Sequence, residues 1–222
     1  MNELVFICHT IWVSMIAYAC RKQSLVIQLA LMITFAILGN LMLLKQMMLF
    51  GFAVTTSDVY AVGVILVLNF IREAYDDKAV HQAMAYSFGA LAIFAIAAYF
   101  QLLYDPLVND MYQPAYVLLM HDLPRKIMVS AVVYFVVQYI DNQLFSWMKQ
   151  RTGSRWLTQR VLLSLVFSQV LDTVLFTVFA LGDIAQSKMD IIIFSSCVKV
   201  ICSSAMVMNT AITNQVIAWI KR

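Results

Sequence analysis

Residues 126–181, KIMVSAVVYFVVQYIDNQLFSWMKQRTGSRWLTQRVLLSLVFSQVLDTVLFTVFAL, hold two long apolar runs joined by a short basic segment. A helix needs about 20 mostly apolar residues to cross the hydrocarbon core of a bilayer. The runs at roughly 126–148 and 158–181 satisfy that requirement. The residues joining them carry Lys149, Arg151, Arg155 and Arg160, so the expected unit is an antiparallel pair of spanning helices. Lys and Arg are enriched in cytoplasmic loops, which places this connection on the cytoplasmic side.

Working outward, five more stretches meet or approach the spanning length: roughly 4–20, 24–44, 57–75, 83–104 and 190–219. Composition agrees. Hydrophobic residues make up 63% of the 222, charged residues only 12%, and mean hydropathy is +0.82. An ordinary soluble domain has about 25% charged residues, and a single core of this size could not hide so much apolar surface. The expected fold is an all-α integral membrane protein of about seven helices with lipid as its solvent. No stretch is long or polar enough to be a linker, so one membrane domain is expected over 1–222.

Alternation from the basic connection places three further sites in the cytoplasm, and all three are positive: Arg21 with Lys22, Arg72 with Lys78, and Lys221 with Arg222. The opposite face takes Glu3, the connection with Asp105, Asn109, Asp110 and Asp122, and the turn with Asp183, Lys188 and Asp190. The topology is N-out, C-in. Pro106, Pro114 and Pro124 all fall in the connection before the fifth helix. Ala17-Tyr18-Ala19 looks like a signal-cleavage site, but no Lys or Arg precedes it, so the first helix reads as retained. Between the second and third helices, Lys45 to Phe52 is too apolar for an exposed loop and too short to span, which suits a re-entrant or interfacial segment. There is no GxxxG, so close packing falls to Ala and Ser, as around Ser203, Ser204 and Ala205.

The net charge of +3 is small and forms no basic face, which argues against nucleic-acid binding. Cys8, Cys20, Cys197 and Cys202 form no CxxC pair, and His9, His81 and His121 are scattered. No metal site and no cofactor are expected. Neither HExxH nor GxSxG occurs, which leaves a membrane enzyme, for example one with an aspartyl dyad, as the weakest class.

A repeated pattern carries the functional argument. Gln138, Asp141 and Phe145 in the fifth helix, and Gln169, Asp172 and Phe176 in the sixth, both read Q-x-x-D-x-x-x-F. Positions i, i+3 and i+7 share one helix face, so each helix presents an amide, a carboxyl and a ring on one stripe. The phenylalanines suit packing better than stacking on a ligand. An Asp at the centre of a spanning helix costs about 2.5–3.5 kcal/mol on insertion scales, so two of them require partners or a function. Candidate partners are Lys199 in the seventh helix and Arg125 at the outer end of the fifth. Asn69 and Glu73, at i and i+4 on the third helix, add another polar face. The arrangement suggests inverted repeats meeting at a midplane substrate site. The plainer alternative is an Asp–Lys clasp holding helices together.

Over about residues 35–215 the chain resembles the queuosine precursor transporters of the wider vitamin uptake transporter group. The likeness rests on Asn40 with Lys45, Leu49-Phe50-Gly51-Phe52, Asn69-x-x-x-Glu73-x-Tyr75, Arg125, the run ending Gln138-x-x-Asp141, Ser168-Gln169-x-x-Asp172-Thr173, and Lys199. Asn69 stands where that family usually has an acidic residue, and Asp76 where it has Gly. Residues 1–22 look like a helix added to a six-helix core over 24–219.

The resemblance implies a multi-pass transporter of the plasma membrane, or of the inner membrane in a Gram-negative cell, importing queuine or related 7-deazaguanines for tRNA modification. Substrate contacts are then expected from Asn40, Asn69, Glu73, Arg125, Gln138, Asp141, Gln169, Asp172 and Lys199. One Asp would take the guanine-like donor edge, and the other would neutralise Lys199. The alternative is a substrate-capturing membrane subunit of an energy-coupling vitamin importer. Its ATPase module would lie on other chains, since no GxxxxGK[ST] loop occurs here. The expected partners are the small-molecule substrate and the lipid bilayer, with a homo-oligomer left open.

Overall fold

The computed structural model describes residues 1–152, 157–182 and 185–201. The helices are α1 (Asn2–Cys20), α2 (Leu25–Met42), α3 (Asp58–Ala74), α4 (Asp77–Leu103), α5 (Gln113–Met120), α6 (Leu123–Thr152) and α7 (Leu157–Ala180). A further helix, α8, is described over 188–201. Expectations on Arg155, Asp183, Cys202, Ser203, Ser204, Ala205, Lys221, Arg222 and the last helix beyond 201 lie outside the described residues.

Burial is inside-out for a water-soluble protein. On α6, Met128, Val132, Phe135 and Tyr139 are exposed while Ile127, Val133 and Val137 are buried. On α4, Ile93, Ile96, Tyr99, Phe100 and Leu103 are exposed. Such continuous apolar stripes need lipid against them. Among the described residues, four helical stretches are long and apolar enough to cross a membrane: Asn2–Cys20, Leu25–Met42, Lys78–Leu103 and Gln113–Asp141. The apolar parts of α3 and α7, Asp58–Ile71 and Val166–Ala180, are shorter. In α3 the run is cut by the polar residues that begin the turn into α4.

Helix ends meet in two groups. At one end Asn2 Nδ2 donates to Met48 O at 3.0 Å, and Leu43, Val129, Phe176, Ala180, Leu181 and Ile191 pack together. Phe176, from the repeated motif, is thus a packing residue. At the opposite end the Arg21 guanidinium lies over the rings of Tyr18 and Phe70. The buried Gln28 side chain there stitches the α1–α2 turn by donating to Arg21 O and Gln23 O at 3.1 and 3.0 Å. Asp76 caps α4, its Oδ1 accepting from Ala79 N at 2.9 Å, which starts that helix several residues before the apolar run.

The segment after α2 is a β-hairpin, β1 (Gln46–Leu49) and β2 (Phe52–Thr55), paired antiparallel from Gln46↔Thr55 to Leu49↔Phe52. Phe50 and Gly51 both have positive φ, 49° and 84°, as a two-residue type I′ turn requires. The hairpin satisfies its own backbone groups where an irregular apolar loop could not. Contacts to the segment entering α8 pin it: Asp190 Oδ2 accepts from Ala53 N at 2.9 Å, and the hairpin's own Gln46 Oε1 accepts from the backbone N of Gln186 at 3.1 Å. Within the prolyl connection, Pro114 sits in the first turn of the short α5, where the missing N–H of proline costs nothing.

The largest core joins α1, α2 and α3 with the start of α4. A Cβ on Gly63 would lie 2.7 Å from side-chain atoms of both Phe35 and Val13, so the three helices close on that glycine.

Candidate functional site

Polar residues on α7 recur every four positions, at Ser164, Ser168 and Asp172, which stacks them along one helix face. The two serines are buried and face α6. Their hydroxyls both donate to Asp141 Oδ1, Ser168 at 2.6 Å, and Ser168 also reaches Ser164 O at 2.8 Å. Because α6 and α7 run antiparallel, Asp141 is level with these serines and Asp172 lies one turn further along α7. The two repeated motifs therefore meet out of register, and each aspartate has its own partners.

Asp172 pairs with α8: Lys199 Nζ donates to Asp172 Oδ2 at 3.0 Å. Ser195, one turn before Lys199, donates to Asp58 Oδ2 at 2.8 Å. Asp58 is 5% exposed and lies within electrostatic range of Lys199. A continuous polar band thus runs from Asp58 and Ser195 through Lys199 and Asp172 to Ser168, Ser164 and Asp141. Among the described residues it draws on α3, α6, α7 and α8. Gln169 lies beside it on α7, its backbone oxygen accepting from Thr173 Oγ1 at 2.8 Å.

Asn40 and Arg125 lie away from the band, whereas Gln138 is one turn before Asp141 on α6. Asn40 is near the hairpin end of α2 and spends its amide on Ala36 O at 2.9 Å. Arg125 is exposed in the first turn of α6, and the 16 residues to Asp141 span on the order of 24 Å. Asn69 is half-buried toward the far end of α3. Glu73 and Gln138 belong to α3 and α6, and their side chains lie outside the described residues. The crevice lined by residues from Pro106 to Pro114 is formed by one loop and does not open on the band.

Asp58 and Lys126 are buried charged residues that reading the sequence passed over, and Ser164 and Ser195, which bond Asp141 and Asp58, were passed over too. An acid in the first turn of a helix is the ordinary answer to the helix dipole, so Asp58 carried no signal of its own. Lys126 is 3% exposed, its Nζ makes no hydrogen bond among the described residues, and Asp122 Oδ2 lies 3.9 Å from it. Its neighbour Arg125 points outward because each residue turns the helix by about 100°.

A family model described as "Putative vitamin uptake transporter" matches residues 55–213, well over half the chain. No curated protein and no solved structure matches. The matched span begins at the end of the hairpin and contains every residue of the polar band.

Proposed function

The chain belongs to the vitamin uptake transporter family, and on that premise we propose that it imports queuine or a related 7-deazaguanine through the α6–α7 band. It is a membrane protein whose apolar helices meet lipid. We read it as a single multi-pass domain of the plasma membrane, N-terminus outside and C-terminus inside, since positive charge follows that alternation along the chain.

The observation that carries the substrate reading is the separation of the two aspartates. Lys199 already neutralises Asp172, while Asp141 meets no cation among the described residues and is oriented through Oδ1 alone by two serine hydroxyls. A carboxylate held that way is ready to accept a pair of donors. A 7-deazaguanine offers such a pair in its adjacent N1–H and 2-amino groups, and its O6 acceptor suits an amide N–H of Gln138 or Gln169. Asn40 and Arg125, toward the hairpin end, and Asn69 and Glu73, toward the other, would flank the path to this point.

Uptake of labelled queuine and of a smaller 7-deazaguanine, in cells lacking their own transporter, tests the reading. Expression of this chain should confer uptake. Asp141→Asn turns one acceptor oxygen into a donor facing the substrate's own donors. A charge-assisted hydrogen bond is worth about 2 kcal/mol, so uptake at low substrate should fall roughly 30-fold. Unchanged uptake by a normally inserted Asp141→Asn protein would remove Asp141 from the site. Uptake that appears only with ATPase subunits would assign the chain to an energy-coupled importer.

A further inference from the structure

Lys199 is one ammonium bonded to one carboxylate with a second nearby. It bonds Asp172 at 3.0 Å, and Asp58 lies within its electrostatic range, anchored by Ser195 one turn earlier on the same helix. With both carboxylates ionised, the trio carries one surplus negative charge.

Among the described residues, no other charge on the surrounding elements answers it, and the buried Lys126 of α6 has its own carboxylate in Asp122, 3.9 Å away. Between Leu25 and Met42, α2 carries no charged residue. His9 of α1 lies against the Tyr60 ring, two positions beyond Asp58. Lys45 is exposed at the base of the hairpin. Asp190 on α8 is engaged by Ala53 N, and Lys188 faces Gly182 at the end of α7. The ionisable groups of α4, Asp77, Lys78 and His81, belong to its first turns, at the end of the bundle where α3 finishes.

An uncompensated charge in an apolar setting is far costlier than its neutral form, and one proton brings the trio to zero. We propose that Asp58 is the proton-carrying carboxylate of this transporter, and that import is coupled to proton entry through exchange of Lys199 between Asp172 and Asp58. In the arrangement seen, Lys199 pairs with Asp172, and Asp58 is a carboxylic acid accepting from Ser195 through one oxygen. Loss of that O–H proton to water creates a carboxylate, and the Lys199 ammonium, which keeps its own protons throughout, moves to it. α8 thereby changes its ionic partner from α7 to α3, giving a two-state element whose balance follows proton occupancy. The proposal rests on the transport reading but not on the identity of the substrate.

The test uses the full chain purified and reconstituted in liposomes. With labelled queuine, an acid-outside gradient should drive accumulation above equilibrium in the wild type. Asp58→Asn, which mimics the neutral acid, should abolish gradient-driven accumulation yet still exchange external label for internal substrate, and Asp58→Glu should recover part of the accumulation. Continued pH-driven accumulation by Asp58→Asn, or a wild type driven by sodium instead of protons, overturns the proposal. So does loss of exchange together with accumulation in a folded Asp58→Asn protein. An infrared titration without substrate separates this from the substrate assignment. A protonated-carboxyl band present in the wild type and missing in Asp58→Asn supports the proton site even if queuine is not transported, whereas absence of the band in the wild type sinks it.

Discussion

Asp172 and Lys199 are the expected residues that the structure joins directly. Their side chains are 35% and 15% exposed, so the pair lies between the exposed and buried regimes, and breaking it should cost about 2 kcal/mol. Lys199→Met strands Asp172 and should lower the unfolding temperature in detergent. Adding Asp172→Asn removes the stranded charge and should recover most of that loss. Uptake decides what the pair is for. A clasp that only holds helices together would regain transport along with stability in the double variant, whereas a functional pair stays inactive, and we expect inactivity. Lys126 and Asp58 show the limit at this scale. Both are polar positions near helix starts that any surface-helix rule would accept, and only burial at 3% and 5% singles them out.

Among the elements, the long helices were readable because a spanning run of apolar residues has few alternatives, and observed bounds such as Leu25–Met42 lie close to the apolar runs, whereas the short α5 falls in what reads as a polar connection. The hairpin at Gln46–Thr55 was legible only as an anomaly, too apolar for a loop and too short for a helix. Its pairing depends on Asp190 and Gln186, more than 130 residues away in sequence. Gly63 belongs here too, since its role comes from Phe35 on α2 and Val13 on α1. Gly63→Leu should force those helices apart and destabilise the bundle by about 1–3 kcal/mol, read as a lower unfolding temperature in detergent. Gly89→Leu, at a glycine with open space around it, should leave that temperature unchanged.

For the molecule as a whole, the alternation of helix ends and the distribution of Lys and Arg lead to one expectation about orientation. In a cysteine-free background, Asn109→Cys should react with a membrane-impermeant maleimide added to intact cells, and Gln150→Cys only after permeabilisation. The opposite labelling pattern would invert the topology and, with it, the direction in which Asp58 would receive its proton.

Composition and hydropathy alone determined that this chain is a helical membrane protein, because burying or exposing a 20-residue apolar run is a local, additive energy that no distant contact reverses. The repeated Gln and Asp positions marked α6 and α7 as the helices of interest for the same reason, since an intramembrane carboxylate is costly wherever its helix sits. Which partner each aspartate takes was left to the tertiary structure. The registers of α6 on α7 and of α8 on α3 and α7 decide that Asp141 meets serines, Asp172 meets Lys199, and Asp58 joins them. Those registers depend on side-chain packing between segments far apart in the chain, which a linear pattern does not encode.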